Sequence, residues 1–123
     1  ADTHGIPIDQ LSPPSMAYAA TMEAASAYLV SGKRPDAVFT FSDTAAMAVI
    51  SAFRDMRYRT PADYSIIGYN DIPPAAHFTP AITTIAQETG VAGSILVEKL
   101  MQLLDGGRPK PVMLPTSLIV RDT

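Results

Sequence analysis

Two short apolar segments, Ala37–Phe41 and Tyr64–Tyr69, each break into a polar burst that finishes on aspartate: "AVFTFSD" and "SIIGYND". Between them lies "TAAMAVISAFRDM", in which Ala45, Ala48, Val49, Ala52, Phe53 and Met56 recur at helical intervals. A strand, a helix and a second strand in this order make a βαβ unit, whose strands run in the same direction. Tyr64–Tyr69 is apolar on both sides of its alternation, as in a parallel sheet covered on both faces. The pattern predicts an α/β fold built on a parallel sheet.

The flanking segments extend this alternation. Ser15–Gly32 is alanine-rich, begins after Pro14 and stops at glycine, which predicts a helix. Residues 70–80, with three prolines, read as a loop. Ala81–Gln87 reads as extended, and Glu88–Asp105 as a long helix closed by Gly106 and Gly107. Pro111–Val120 reads as a last strand, and Pro115 places it at an edge or a bend. A chain of 123 residues accommodates one domain.

Parallel strands put Ser42-Asp43 and Asn70-Asp71 together at their carboxyl ends. In open α/β sheets, small ligands bind at that edge. Local structure accounts equally well for the aspartates: Ser42 or Asp43 suits a helix N-cap, and Asp71 before Ile72-Pro73 suits a turn. Ser42 and Asn70 directly follow their strands, and neither is the best residue for the turn it enters. His77, in the loop beyond Asn70, is a further candidate for the crevice wall.

Other functions find little support. The net charge is −3 and "RDMRYR" is the only basic cluster, too small for reading duplex DNA directly. His4 and His77 have no metal-ligand spacing around them, and no phosphate-loop, dinucleotide or nucleophile-elbow pattern occurs. The expectation is therefore no enzyme, no cofactor and no metal. No apolar run is long enough to span a membrane. Cysteine is absent, which excludes disulfides and points towards the cytoplasm. A start without Met suggests a mature product or a fragment.

The stretch "RPDAVFTFSDTAAMAVISAFRDM" and, downstream, "RTPADYSIIGYNDIPPAAHFTPAITTIAQ" resemble the effector-binding domain of lactose/galactose-repressor-type transcriptional regulators. The family pattern is P-x-A, an apolar run and N-D-x-x-A, then an apolar run closing on G-[FY]-D-[DN], then T-T-[VI]-x-Q. The closing "LPTSLIVRDT" is similar to the family's last segment. The resemblance implies a periplasmic-binding-protein-like, flavodoxin-like lobe that is incomplete without an amino-terminal partner lobe. Residues 1–81 would be the carboxyl-terminal lobe, residues 82–110 a crossing segment and a helix of the other lobe, and residues 111–123 the returning strand.

It further implies a sugar-like effector in the cleft, operator DNA bound only through an amino-terminal helix-turn-helix, and a homodimer. Ser42, Asp43 and Asn70 would line the cleft, joined by Phe78 and Gln87. The fold is shared with periplasmic solute-binding proteins of transporters, the alternative reading. Three positions depart from the pattern: Ser42 replaces the usual asparagine, Asn70 the usual aspartate, and Arg57 the glycine after the helix. An Asn at position 70 loses the two-oxygen acceptor that an aspartate offers to ligand hydroxyls. Arg57 predicts that its helix ends without a left-handed residue.

Overall fold

The computed structural model describes residues 5–123, so His4 lies outside the described residues. Four helices and four strands alternate: α1 (Tyr18–Val30), β1 (Ala37–Phe39), α2 (Asp43–Asp55), β2 (Ser65–Tyr69), α3 (Pro73–His77), β3 (Thr84–Gln87), α4 (Thr89–Leu104) and β4 (Thr116–Ile119). The sheet order is β1-β2-β3-β4. β1 pairs in parallel with β2, Phe39 opposite Ile67, and β2 in parallel with β3, Gly68 opposite Thr84. β4 closes the sheet antiparallel to β3. The parallel βαβ reading therefore holds, and Pro115 sits immediately before an edge strand.

The core forms around α2, whose small residues let neighbours approach from several sides. Ala45, Ala46, Ala48, Val49, Ile50, Ala52 and Phe53 are all buried. α1 meets α2 through Thr21, Ala25 and Leu29, a stripe spaced by four. At the far end of α2, Phe53 packs edge-on against Tyr64 with ring centroids 5.0 Å apart, and Tyr58 stacks on Tyr64 at 5.3 Å.

Ile82, Thr83 and Thr84 are buried, and the chain leaves the sheet only after Gln87. Two expectations are corrected. Residues 73–77 are a helical turn, not loop: Pro73 and Pro74 occupy its first positions, where a missing N–H costs nothing. Arg57 is left-handed after all, with φ 61°. Tyr58 N–H bonds the Phe53 carbonyl at 2.9 Å and Arg57 N–H bonds the Arg54 carbonyl at 2.9 Å. These are the two bonds of a Schellman motif, and the Phe53–Tyr58 ring contact at 5.8 Å supplies its apolar clasp. Satisfying the last carbonyls of α2 outweighs the local cost of a side chain there.

Candidate functional site

Because β1, β2 and β3 are parallel, Ser42 and Asn70, which follow β1 and β2, and Gln87, the last residue of β3, lie at the carboxyl ends of the strands along one sheet edge. Asn70 and Gln87 are in direct contact, Gln87 Nε2 donating to Asn70 Oδ1 at 2.7 Å. Both are exposed, and the pair leaves the Asn70 NH2 donors and the Gln87 carbonyl acceptor free to meet a ligand. Beside them, Phe39 and Tyr69 pack edge to face, centroids 6.5 Å apart. Phe39 is 63% exposed, so the edge offers an apolar surface next to a polar pair.

Ser42 is the N-cap of α2, its Oγ accepting from Ala45 N–H at 3.1 Å. Its hydroxyl hydrogen remains available. Thr40 steadies this turn by donating to the Ser42 carbonyl at 2.9 Å.

Asp43 lies beneath the edge rather than on it. The residue is completely buried, and its carboxylate accepts from the Thr84 hydroxyl and from Ile72 N–H, the latter at 2.8 Å. A Cβ on Gly68 would lie 3.2 Å from the Asp43 Cα and run into its carboxylate, so the glycine of "IIGY" makes room for this brace. The geometry thus gives Asp43 an architectural place.

The turn after β2 is unusual. Asn70 and Asp71 are consecutive non-glycine residues with φ of 105° and 52°. Such strain persists only where the surroundings over-determine it. Here Asn70 N–H bonds the Ile85 carbonyl at 2.8 Å, and Asp71 Oδ1 receives Arg121 Nη2 at 2.6 Å. Arg121 also donates from Nη1 to the Ile82 carbonyl at 2.8 Å. Thr123 completes the stitching, its Oγ1 donating to the Ile66 carbonyl at 2.8 Å. Thr84 and Arg121 escaped the sequence reading; the arginine of "IVRDT" was visible, but nothing in the sequence paired it with Asp71.

His77 and Phe78 are not brought to this edge. α3 carries the chain back towards the start of β3, where Ile82 N–H bonds the Ala75 carbonyl at 2.9 Å. Phe78 packs against the core and His77 is exposed. No cluster of acidic or histidine side chains among the described residues could hold a metal.

An open parallel sheet with a polar and aromatic carboxyl edge defines a binding-protein-like lobe. Residues 3–123 match the periplasmic binding protein-like domain. The repressor PurR of Photobacterium profundum is 43% identical over 81 residues, 66% of this chain and 24% of that protein. The ribose operon repressor of Haemophilus influenzae is 40% identical over 74 residues, 60% of this chain and 22% of that protein. Among solved structures, the Lac repressor dimer bound to operator and the anti-inducer ONPF superposes with a TM-score of 0.81 at 30% identity, over 87% of this chain and 33% of that one. The CelR–cellobiose complex gives 0.79 at 30% identity, over 88% of this chain and 34% of that one.

The chain belongs to the periplasmic binding protein-like domain family and, within it, to the effector-binding domains of lactose-repressor-type transcriptional regulators. It spans about a quarter of the length of these curated relatives.

Proposed function

We propose that this chain forms one wall of the effector cleft of a cytoplasmic transcriptional repressor. A small polar, sugar-like molecule is held between Ser42, Asn70 and Gln87 on this side and a second lobe on the other. The observation that carries the reading is the Asn70–Gln87 hydrogen bond at the exposed strand ends, beside the Phe39–Tyr69 pair. Names among the relatives and neighbours, such as the ribose operon repressor and the cellobiose complex of CelR, support a small effector.

α4 supports a second lobe. None of its residues is buried, although Val91, Leu96, Val97, Leu100, Met101, Leu103 and Leu104 are all exposed apolar side chains. A helix with this composition requires cover. The assignment of the helix in residues 82–110 to the opposite lobe is the proposal that meets this need, with residues 111–123 returning to form β4.

Effector binding works by population shift: a ligand that spans both lobes favours one lobe arrangement and so one spacing of DNA-binding heads in a homodimer. The heads are helix-turn-helix domains outside this chain. The test is a thermal-shift screen of the intact regulator against sugars, polyols, nucleobases and sugar phosphates. A true effector at ~100 times its Kd adds about 2.7 kcal/mol of stability. Gln87→Ala should lower its affinity about tenfold without altering the ligand-free melting temperature. An effector whose affinity ignores Gln87→Ala and Asn70→Asp alike would place the site elsewhere.

A further inference from the structure

A second cavity lies at the opposite end of the sheet. It has a volume of about 280 Å3 and is lined by Ile50, Arg54, Tyr58, Arg59, Thr60, Thr79 and Pro80. These residues come from the last turns of α2, the α2–β2 connection and the segment before β3, all of which precede the amino ends of β2 and β3. The cavity therefore cannot belong to the Asn70–Gln87 edge.

Two arginines, Arg54 and Arg59, line it in a chain of net charge −3. The ion pairs among the described residues are Lys33–Asp9 and Arg121–Asp71, so neither Arg54 nor Arg59 has a carboxylate partner. Asp63 spends Oδ2 on the backbone N–H of Arg59 at 2.7 Å. Arg34 adds a third positive charge, its guanidinium 5.7 Å from the centre of the Tyr58 ring. The negative end of α2 accounts for one arginine in its last turn, Arg54, but not for Arg59.

The remaining walls are an apolar pair, Ile50 and Pro80, with Tyr58 and two threonines. Tyr58 turns its hydroxyl away, donating to the Pro35 carbonyl at 2.9 Å, and its ring is stacked on Tyr64. Thr60 is 9% exposed, its hydroxyl buried away from solvent without a hydrogen-bond partner.

We propose that this cavity is a second small-molecule site, for an anion of the phosphate-monoester class. Two guanidinium forks grip the phosphate oxygens, as their planar donor geometry favours. Ile50 and Pro80 form the apolar side that meets the carbon skeleton.

The experiment titrates the chain with inorganic phosphate and with a sugar phosphate, by calorimetry at constant ionic strength with chloride as the balancing anion. Saturable binding to one site is expected, tighter for the ester than for inorganic phosphate because only the ester uses the apolar wall. Arg54→Gln and Arg59→Gln should each weaken it by about tenfold or more. Both side chains are exposed, and a melting curve of each variant confirms folding. Gln87→Ala, at the other edge, should leave phosphate affinity unchanged, which separates this site from the effector cleft. Absence of saturation, or equal affinity in the arginine variants, overturns the proposal. So does a change of oligomeric state in those variants without phosphate binding, since the occupant would then be an acidic side chain of a second copy.

Discussion

Arg121 and Asp71, separated by 50 positions in the chain, meet through Nη2 and Oδ1 at 2.6 Å. The contact joins the last residues of the chain to the strained turn that presents Asn70. Because Arg121 also bonds the Ile82 carbonyl, its fork holds β3 and the turn in one geometry. Arg121→Lys keeps the charge but cannot make both bonds from one plane. The expected cost is about 1–2 kcal/mol in denaturant unfolding, since both partners are mostly buried. Because Asn70 depends on that turn, effector affinity should fall with it. Unchanged stability and affinity in this variant would mean that Asp71 is held without Arg121.

Asp43 and Thr84 provide a second brace. Asp43→Ala would strand the fully buried Thr84 hydroxyl and the partly buried Ile72 N–H. A loss of about 2–4 kcal/mol is expected, visible as a lower denaturation midpoint. Asp43→Asn keeps an acceptor for one of the two donors and should cost less. A milder effect for Ala than for Asn would contradict the brace.

The parallel strands and the shared edge were legible because burial on both faces leaves a continuous apolar run, and the polar bursts mark where it ends. Ser42 as cap and Asn70 at the edge followed from the same spacing. The place of Asp43 did not, because capping and bracing use the same residue at the same position. Only the approach of Gly68 and Thr84 decides between them. Nor was the arginine clamp legible: a partner 50 positions away leaves no local signal. α3 was missed although its Pro-Pro-Ala-Ala start is a helix signal, because prolines after Asp71 read first as turn residues.

Arg57 illustrates a local rule overruled by its surroundings. Its left-handed φ of 61° costs about 1–2 kcal/mol for a residue with a side chain, offset by the two Schellman bonds and the Phe53–Tyr58 contact. Arg57→Gly relieves that cost but gives the unfolded chain more freedom, worth about 0.4–1 kcal/mol. A net gain of about 0.5–1 kcal/mol is expected from thermal unfolding. A destabilised glycine variant would show that the arginine side chain contributes to the fold.

Tyr64 links burial to pH. Its hydroxyl is buried without a hydrogen-bond partner, and burial raises its pKa well above the ordinary tyrosine value. The unfolded chain ionises this phenol near pH ~10 while the folded chain keeps it neutral, so the unfolded state binds fewer protons there. Stability from this group is complete below that pH and declines as pH rises above it. Tyr64→Phe removes the unsatisfied hydroxyl, should be neutral or stabilising by up to about 1 kcal/mol, and should flatten the decline. A clear loss of stability at neutral pH would reveal a partner for the hydroxyl.

α4 governs how the isolated chain behaves. Leu96 is 68% exposed, Leu100 54% and Leu104 71%, and these three recur at intervals of four on one face. Fully burying each large aliphatic is worth about 1.5–3 kcal/mol, so leaving a whole face in water drives association. No strand or other helix packs closely on α4, which joins the sheet through Glu88 on one side and residues 105–115 on the other. Exchange or side-by-side pairing between copies therefore requires little rearrangement. At micromolar concentration the chain is expected to form a dimer or larger assembly by light scattering. Leu96→Glu combined with Leu100→Glu should return it to a monomer with an unchanged sheet, because neither residue contributes to the core. A monodisperse monomer of the unsubstituted chain would show that α4 folds back onto its own sheet, and the assignment of this helix to an opposite lobe would lose its physical basis.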